Sequence, residues 1–381
     1  MSRVSLWSRL LEDAGRDPDR IAFHFPDLDL PPLSVGRWAR AASALCLRLR
    51  SGQVPDGPVG LMAPNGPAFV IGFAATLLAD RPLLPLSPHL TDHELHTALR
   101  RAGVTFLIAP SRRRAALKDP APSGLDLEQV ASDGEPGASQ QVGRLHAGGG
   151  HLYLQSSGTT GLPKIVSRSQ ESLNAVAVNC AEAVGFDRGR VLGALPACHS
   201  YGVEHLLLAP LVGGAEVWMM RRFEPIPALR LLRGERITLF PGVPFMFESL
   251  VRAADADEPL ADLRAAYSAG GPLPDQTRRD FEKTFGVRLG QLYGATEIGS
   301  VTYADPSDRL FDPASVGRPM DRVQIRVADV AGSGPQPTVA VETPGGRGVG
   351  LGAVGGDLNR RRAGDLANPD MAEQDVVVGS L

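Results

Sequence analysis

Apolar residues recur at helical spacing over residues 4–14 and 35–49, and the second stretch is dense in alanine and leucine, as in a packed helix. A short apolar run at 59–62 reads as a strand and stops at Asn65-Gly66-Pro67, a strong turn signal. Residues 68–78 form a continuous apolar helix pattern, 82–86 the next short strand, and 104–108 another. Between the last two, residues 91–101 predict a helix capped by Thr91. Strand and helix alternating in this way predict a parallel sheet covered by helices.

Residues 111–150 break the rhythm. Arg112–Arg114 is a basic run, and Pro120-Ala121-Pro122-Ser123-Gly124 and Gly148-Gly149-Gly150 are turn-rich, so a surface segment is expected there. The alternation resumes and continues to about residue 305. No aromatic residue follows Phe311, and residues 331–356 mix glycine and proline with alternating valine, the pattern of short strands and loops.

Composition narrows the function classes. Hydrophobic residues make up 43% and charged residues 21% of the 381, which are ordinary globular values. The net charge of −3 lacks the basic footprint of a nucleic-acid binder. No apolar run reaches the roughly 18 residues of a membrane span, and the first twenty residues hold no signal-peptide core, so neither nucleic acid nor membrane is an expected partner. Cys46, Cys180 and Cys198 are far apart and odd in number, which indicates neither a disulfide framework nor a zinc site, and a cytoplasmic setting is expected. The chain has only three lysines, Lys118, Lys164 and Lys283, against 39 Lys+Arg, so the lysine beside a glycine-rich loop stands out.

That loop is the sharpest chemical signal. A strand at Leu152-Tyr153-Leu154 runs into Ser156-Ser157-Gly158-Thr159-Thr160-Gly161, then Leu162-Pro163-Lys164. Glycines let backbone N–H groups approach a phosphate, hydroxyls add donors, and lysine adds charge. The spacing differs from the P-loop, because two residues separate Gly161 from Lys164. The string resembles the phosphate loop of the adenylate-forming superfamily: acyl- and aryl-CoA synthetases, peptide-synthetase adenylation domains and luciferases. Ser156 to Lys164 fits that motif at every defined position, which implies pyrophosphate contacts for Thr159, Thr160 and Lys164.

Further segments resemble the same family in order. Leu195-Pro196-Ala197-Cys198-His199-Ser200-Tyr201-Gly202 implies a place for His199 beside the acyl group. Pro241-Gly242-Val243-Pro244 and Ser268-Ala269-Gly270-Gly271-Pro272-Leu273 resemble a helix leader and the glycine turn under adenine. Gln291-Leu292-Tyr293-Gly294-Ala295-Thr296-Glu297 implies adenine packing by Tyr293, an α-phosphate contact from Thr296 and Mg²⁺ binding by Glu297. A carboxylate suits a hard cation that bridges phosphate oxygens. Gly364-Asp365-Leu366-Ala367 resembles the ribose-binding motif, with Ala363 in place of its usual threonine.

The resemblance spans about Pro18 to Gly379. It implies an α/β fold with two helix-covered, mostly parallel sheet subdomains in residues 1–320 and a small β-rich subdomain in 321–381. It implies activation of an aryl or fatty carboxylic acid by ATP and Mg²⁺ to acyl-AMP, then transfer to the thiol of CoA or of a carrier protein's phosphopantetheine. An apolar or aromatic acid is expected over an amino acid. The stretch Val203-Glu204-His205-Leu206-Leu207-Leu208 is mostly apolar, and Lys164-Ile165-Val166-Ser167-Arg168-Ser169 resembles the pattern of aryl-acid activators. Glu204 would contradict that expectation only if it faced the acid pocket; a rim or hydrogen-bonded position is expected. The pattern stops near the family's hinge, so the C-terminal domain is expected to be absent and thioester formation by this chain slow. A nucleotide- or acyl-binding protein without efficient catalysis is the alternative. A hydrolase or dehydrogenase is disfavoured, since neither Gly-x-Ser-x-Gly nor a strand-linked Gly-x-Gly-x-x-Gly occurs.

Overall fold

The computed structural model describes residues 6–117, 122–130, 150–156, 164–255, 259–328, 338–343 and 346–348. Three sheets organise them. The first has six strands, in the spatial order Ser123–Asp126, Phe106–Ala109, Val59–Met62, Leu83–Leu86, His151–Ser156 and Lys164–Ser169. All pairs are parallel except the last, a hairpin in which Ser156 faces Lys164. The strands Val59–Met62, Leu83–Leu86 and Phe106–Ala109 are buried along their whole length, as strands covered on both faces must be.

The second sheet has nine strands. Its parallel centre runs Leu289–Ala295, Ala265–Ser268, Leu239–Gly242, Arg190–Gly193, Glu216–Met219 and Ile21–His24. Antiparallel strands close both margins: Gly299–Ala304 and Arg318–Pro319 on one, Leu33–Ser34 on the other. Gln324–Ala328, Thr338–Thr343 and Gly346–Gly348 form a separate antiparallel sheet of three strands.

Local chemistry accounts for the helices between strands. Ser34 caps the helix Val35–Leu49 by accepting from the Arg37 backbone N–H at 3.3 Å. Thr91 and Glu94 form the reciprocal capping box that starts the helix Asp92–Arg101. Pro67 opens the apolar helix Pro67–Leu78, where its missing N–H has no intrahelical partner to lose. The Trp38 indole N–H donates to the Val70 carbonyl at 3.1 Å, which pins two of these helices together. Among the described residues, no helix is long and apolar enough to cross a membrane.

Two features depart from the sequence expectation. Residues 123–126, read as part of a surface segment, form an edge strand paired with Phe106–Ala109. The Asn65 turn also does more than reverse the chain. Its buried amide Nδ2 donates to the carbonyls of Leu195 at 2.8 Å and Met220 at 3.0 Å, and its Oδ1 accepts from the Ala197 N–H at 2.9 Å. One side chain at the end of a strand of the first sheet thus ties that sheet to the second. Asn65→Ala leaves three buried backbone groups unpaired, and at roughly 1 kcal/mol for each lost bond it is expected to destabilise the chain by about 3 kcal/mol. Urea unfolding measures this, and a loss below about 1 kcal/mol would contradict it.

Candidate functional site

Four parallel strands lie side by side in the second sheet: Arg190–Gly193, Leu239–Gly242, Ala265–Ser268 and Leu289–Ala295. Their carboxyl ends share one edge, and each runs into a segment singled out in the sequence. In open α/β sheets this edge is where ligands bind.

After Arg190–Gly193 comes His199, the residue that precedes the helical turn Ser200–Val203. Its imidazole opens to solvent on one side, yet enough protein surrounds it that burial lowers its pKa. After Leu239–Gly242, Pro244 starts the helix Pro244–Ala253. After Ala265–Ser268, Gly270 turns the chain with φ of +80°, a conformation that favours glycine, and both Gly270 and Gly271 expose their backbone. After Leu289–Ala295, a tight turn carries Thr296 and Glu297 before the chain returns in Gly299–Ala304.

Tyr293, Thr296 and Glu297 are half-buried. Burial, then the charge on Glu297, raises the Tyr293 phenol pKa, so the ring and the carboxylate are electrostatic neighbours. Gly294 leaves no room for a side chain, because a Cβ there would stand 2.4 Å from the Gly299 carbonyl oxygen. Among the described residues Glu297 has no ion-pair partner. A half-buried carboxylate on a turn, with no cation of its own, can take a hard metal ion.

Lys164 begins the strand Lys164–Ser169 and is exposed, and it too has no ion-pair partner among the described residues. Ser156 stands opposite it. Among the described residues, the Ser156 hydroxyl is buried with no hydrogen-bond partner, and so is that of Ser268, at the start of the glycine turn. Two unsatisfied buried hydroxyls beside the two glycine segments fit a ligand rich in acceptor oxygens, as a nucleoside triphosphate is. Ser157, Gly158, Thr159, Thr160, Gly161 and Asp365 lie outside the described residues.

Behind this edge lies a buried polar cluster. Arg168 Nη1 meets Glu204 Oε1 at 2.6 Å, with the two side chains 1% and 2% exposed. The same oxygen accepts from Ser200 Oγ at 2.9 Å. Glu204 Oε2 accepts from the Ser300 N–H at 3.0 Å and the Ser300 hydroxyl at 2.7 Å. His205 Nδ1 is 2.8 Å from the Tyr267 hydroxyl and Nε2 is 3.1 Å from Ser300 Oγ. Cys180, Glu204 and His205 place ligand-type atoms within 4.8 Å of one another. Four donors already fill the Glu204 carboxylate, however, and burial pushes the Cys180 thiol pKa well up, so this trio is a hydrogen-bonded core and not a metal centre.

Burial lowers the His205 pKa to about 4, against a partly opposing effect of the Glu204 charge. The folded chain therefore holds His205 neutral where the unfolded chain protonates it. The stability that this contributes is complete above about pH 6.5 and declines as pH falls toward 4, by up to about 1.4 kcal/mol per pH unit. Thermal unfolding between pH 6.5 and 5 is expected to show a shallower pH slope in His205→Gln than in the parent, and equal slopes would contradict the assignment.

The sequence pattern brought His199, Gly270, Gly271, Tyr293, Gly294, Thr296 and Glu297 to one edge. It did not place Arg168, His205, Tyr267 or Ser300 together. Arg168 and Glu204 are 36 positions apart, and Glu204 and Ser300 are 96 apart. The one local signal was the pair of ionisable residues, Glu204-His205, inside an otherwise apolar stretch.

The chain resembles known proteins along most of its length. A family model described as AMP-binding enzyme matches residues 10–348. The long-chain-fatty-acid–CoA ligase of Bacillus subtilis (strain 168) is 26% identical over 361 residues, covering 83% of this chain and 64% of that protein. 4-Coumarate–CoA ligase 1 of Oryza sativa subsp. japonica is 30% identical over 298 residues, covering 70% of this chain and 52% of that protein. Among solved structures, ATP-bound MatB from Rhodopseudomonas palustris superposes with a TM-score of 0.78 at 23% identity, over 90% of this chain and 71% of that one, a likeness of fold. The chain spans about half to two thirds of the length of these two ligases.

Proposed function

Because this chain belongs to the AMP-binding enzyme family, we propose that it activates a carboxylic acid with ATP. The observation that carries the reading is the convergence of His199, the Gly270–Gly271 turn and the Tyr293–Glu297 turn on one carboxyl edge of the second sheet.

In this reading a carboxylate oxygen of the acid attacks the α-phosphorus of ATP. The new bond is acyl O–P, the bond to the bridging oxygen breaks, and pyrophosphate leaves with the electron pair. Tyr293 and the exposed backbone at Gly270–Gly271 receive the adenine. Thr296 donates to the α-phosphate and thereby orients it for attack. Lys164 lies against the departing pyrophosphate and offsets the charge that develops there. The resemblance assigns further contacts with the same phosphates to Ser157–Gly161 and a contact with the ribose hydroxyls to Asp365, all outside the described residues. Glu297 would hold Mg²⁺, which when bound neutralises phosphate charge. His199, whose pKa burial lowers, sits where the acid's carboxylate enters.

The acid is an aryl or fatty acid. The names of the two ligases above support this, and so does Glu204, the one carboxylate in the apolar stretch after His199. All its acceptor positions are filled by Arg168, Ser200 and Ser300, so none remains for a substrate ammonium. The acyl group then passes to a thiol, of CoA or of a carrier protein's phosphopantetheine. The antiparallel sheet that starts at Gln324 supports dividing the chain into a core of residues 1–320 and a small β-rich unit from 321 on. The three free, buried cysteines are in keeping with a reducing, cytoplasmic setting.

Acid-dependent exchange of labelled pyrophosphate into ATP tests the proposal across benzoates, cinnamates, short and long fatty acids, and α-amino acids. Exchange with aryl or fatty acids is expected. Preference for an α-amino acid would overturn the substrate class, and exchange with no acid would overturn the activity.

A further inference from the structure

The buried cluster behind the site connects the described segments that carry Lys164, His199, the glycine turn and Glu297. Glu204 accepts from Ser200, next to His199; from Arg168, on the strand that begins at Lys164; and from Ser300, on the strand that leaves the Glu297 turn. Its neighbour His205 meets Ser300 again and Tyr267, on the strand that ends at the glycine turn. Glu204 and His205 open a π-helical turn, Glu204–Leu208, and both are fully buried. The extra residue in such a turn re-aims side chains, and turns of this kind cluster at functional sites.

The fit around the pair is close. Arg168 also directs Nε and Nη2 to Ser172 Oγ, at 3.3 and 3.1 Å. Gly299, three residues before which stands Thr296, would place a Cβ 2.8 Å from Arg168 Nη2 and 2.9 Å from Glu204 Oε1. Neither charged group touches the exposed edge where nucleotide and acid would sit, so neither can act on them directly.

We infer that Glu204 and Arg168 are positioning residues for adenylation: their ion pair, with Ser200 and Ser300, fixes the strand of Lys164 and the turn of Glu297 relative to each other and to His199. The inference rests on the activity proposed above. Its physical basis is that Lys164 and Glu297 lie on different sheets, joined here by one carboxylate. The reaction needs both aimed at one triphosphate, where small displacements are costly.

The test separates positioning from plain stability. Removing one partner strands the other charge in the interior and destabilises strongly, whereas replacing both with apolar residues of similar size restores stability in comparable cases. The full chain, Glu204→Gln and the double variant Arg168→Met/Glu204→Leu are compared by thermal unfolding, by kcat and KM for ATP in pyrophosphate exchange, and by amide hydrogen exchange.

Glu204→Gln is expected to lose both melting temperature and kcat. The double variant is expected to recover most of the melting temperature while kcat stays about 30-fold or more below the parent, beyond any rise in KM, since the transition state demands alignment more than binding does. Its amides in 164–169 and 299–304 are expected to exchange faster, with 59–62 unchanged. A double variant that regains parental kcat along with its stability would show the pair to be structural only, and unchanged amide exchange in both segments would overturn the tie itself. Should the double variant not fold, Glu204→Gln decides on the same two readouts. A parent without pyrophosphate exchange would overturn the proposed activity, while the amide-exchange result would still decide whether the tie exists.

Discussion

Lys164→Ala is expected to lower acid-dependent pyrophosphate exchange by about 100- to 1,000-fold, the range found when one preorganised group is removed from a developing negative charge. Lys164 is exposed at the head of its strand and has no ion-pair partner among the described residues, so its charge is free for an incoming phosphate. Of the chain's other lysines, Lys283 lies in the helix Asp275–Phe285, and Lys118 lies outside the described residues. Because the side chain is exposed, melting should shift by no more than an exposed substitution normally causes, about 0.5 kcal/mol or less in stability. Initial exchange rates at saturating acid measure the effect. A loss below about threefold with unchanged stability would remove Lys164 from the reaction.

Gly299→Ala is expected to be strongly destabilising. Gly299 has φ of +77°, and forcing alanine into that region costs about 1–2 kcal/mol. The added Cβ would also meet Arg168 Nη2 at 2.8 Å, Arg168 Nη1 at 2.9 Å and Glu204 Oε1 at 2.9 Å. A flexible surface side chain would move aside, but these two hold each other in the interior. Parting them leaves uncompensated buried charge, worth about 3–5 kcal/mol in comparable cases, so a total loss of about 4 kcal/mol or more is expected. Urea unfolding followed by tyrosine and tryptophan fluorescence reads it. A loss under about 1 kcal/mol would mean that the pair relaxes freely, contrary to the packing described.

These two residues mark where the sequence was informative and where it was not. Lys164 could be singled out because the glycine-hydroxyl string before it needs little beyond local chemistry, and the structure sets it opposite Ser156. The helix Val35–Leu49 was legible to the residue from its apolar period alone. Gly299 carried no signal, because its constraint comes from Arg168 and Glu204, which arrive from other elements. Likewise Asn65-Gly66-Pro67 read correctly as a turn, but the partners of the Asn65 amide lie 130 and 155 positions away. The edge strand Ser123–Asp126 was missed because Ser-Gly-Leu-Asp has no strand periodicity. It pairs there because Gly124 lets the backbones close up: a Cβ at that position would stand 2.1 Å from the Leu107 carbonyl oxygen. Long-range polar pairing and close backbone approach are set by tertiary structure, and local periodicity does not encode them.

The central claim is that a carboxylate of the acid, and not water, attacks the α-phosphorus. Incubating the chain with ATP, Mg²⁺ and an aryl or fatty acid labelled with ¹⁸O in both carboxylate oxygens, then analysing the nucleotide products by mass spectrometry, tests this most directly. The account predicts an acyl-AMP carrying both labels. It also predicts that cleavage of that product at the acyl carbon by hydroxylamine releases AMP with one ¹⁸O on phosphorus. AMP that carries only solvent oxygen, or pyrophosphate release that does not depend on the acid, would contradict it.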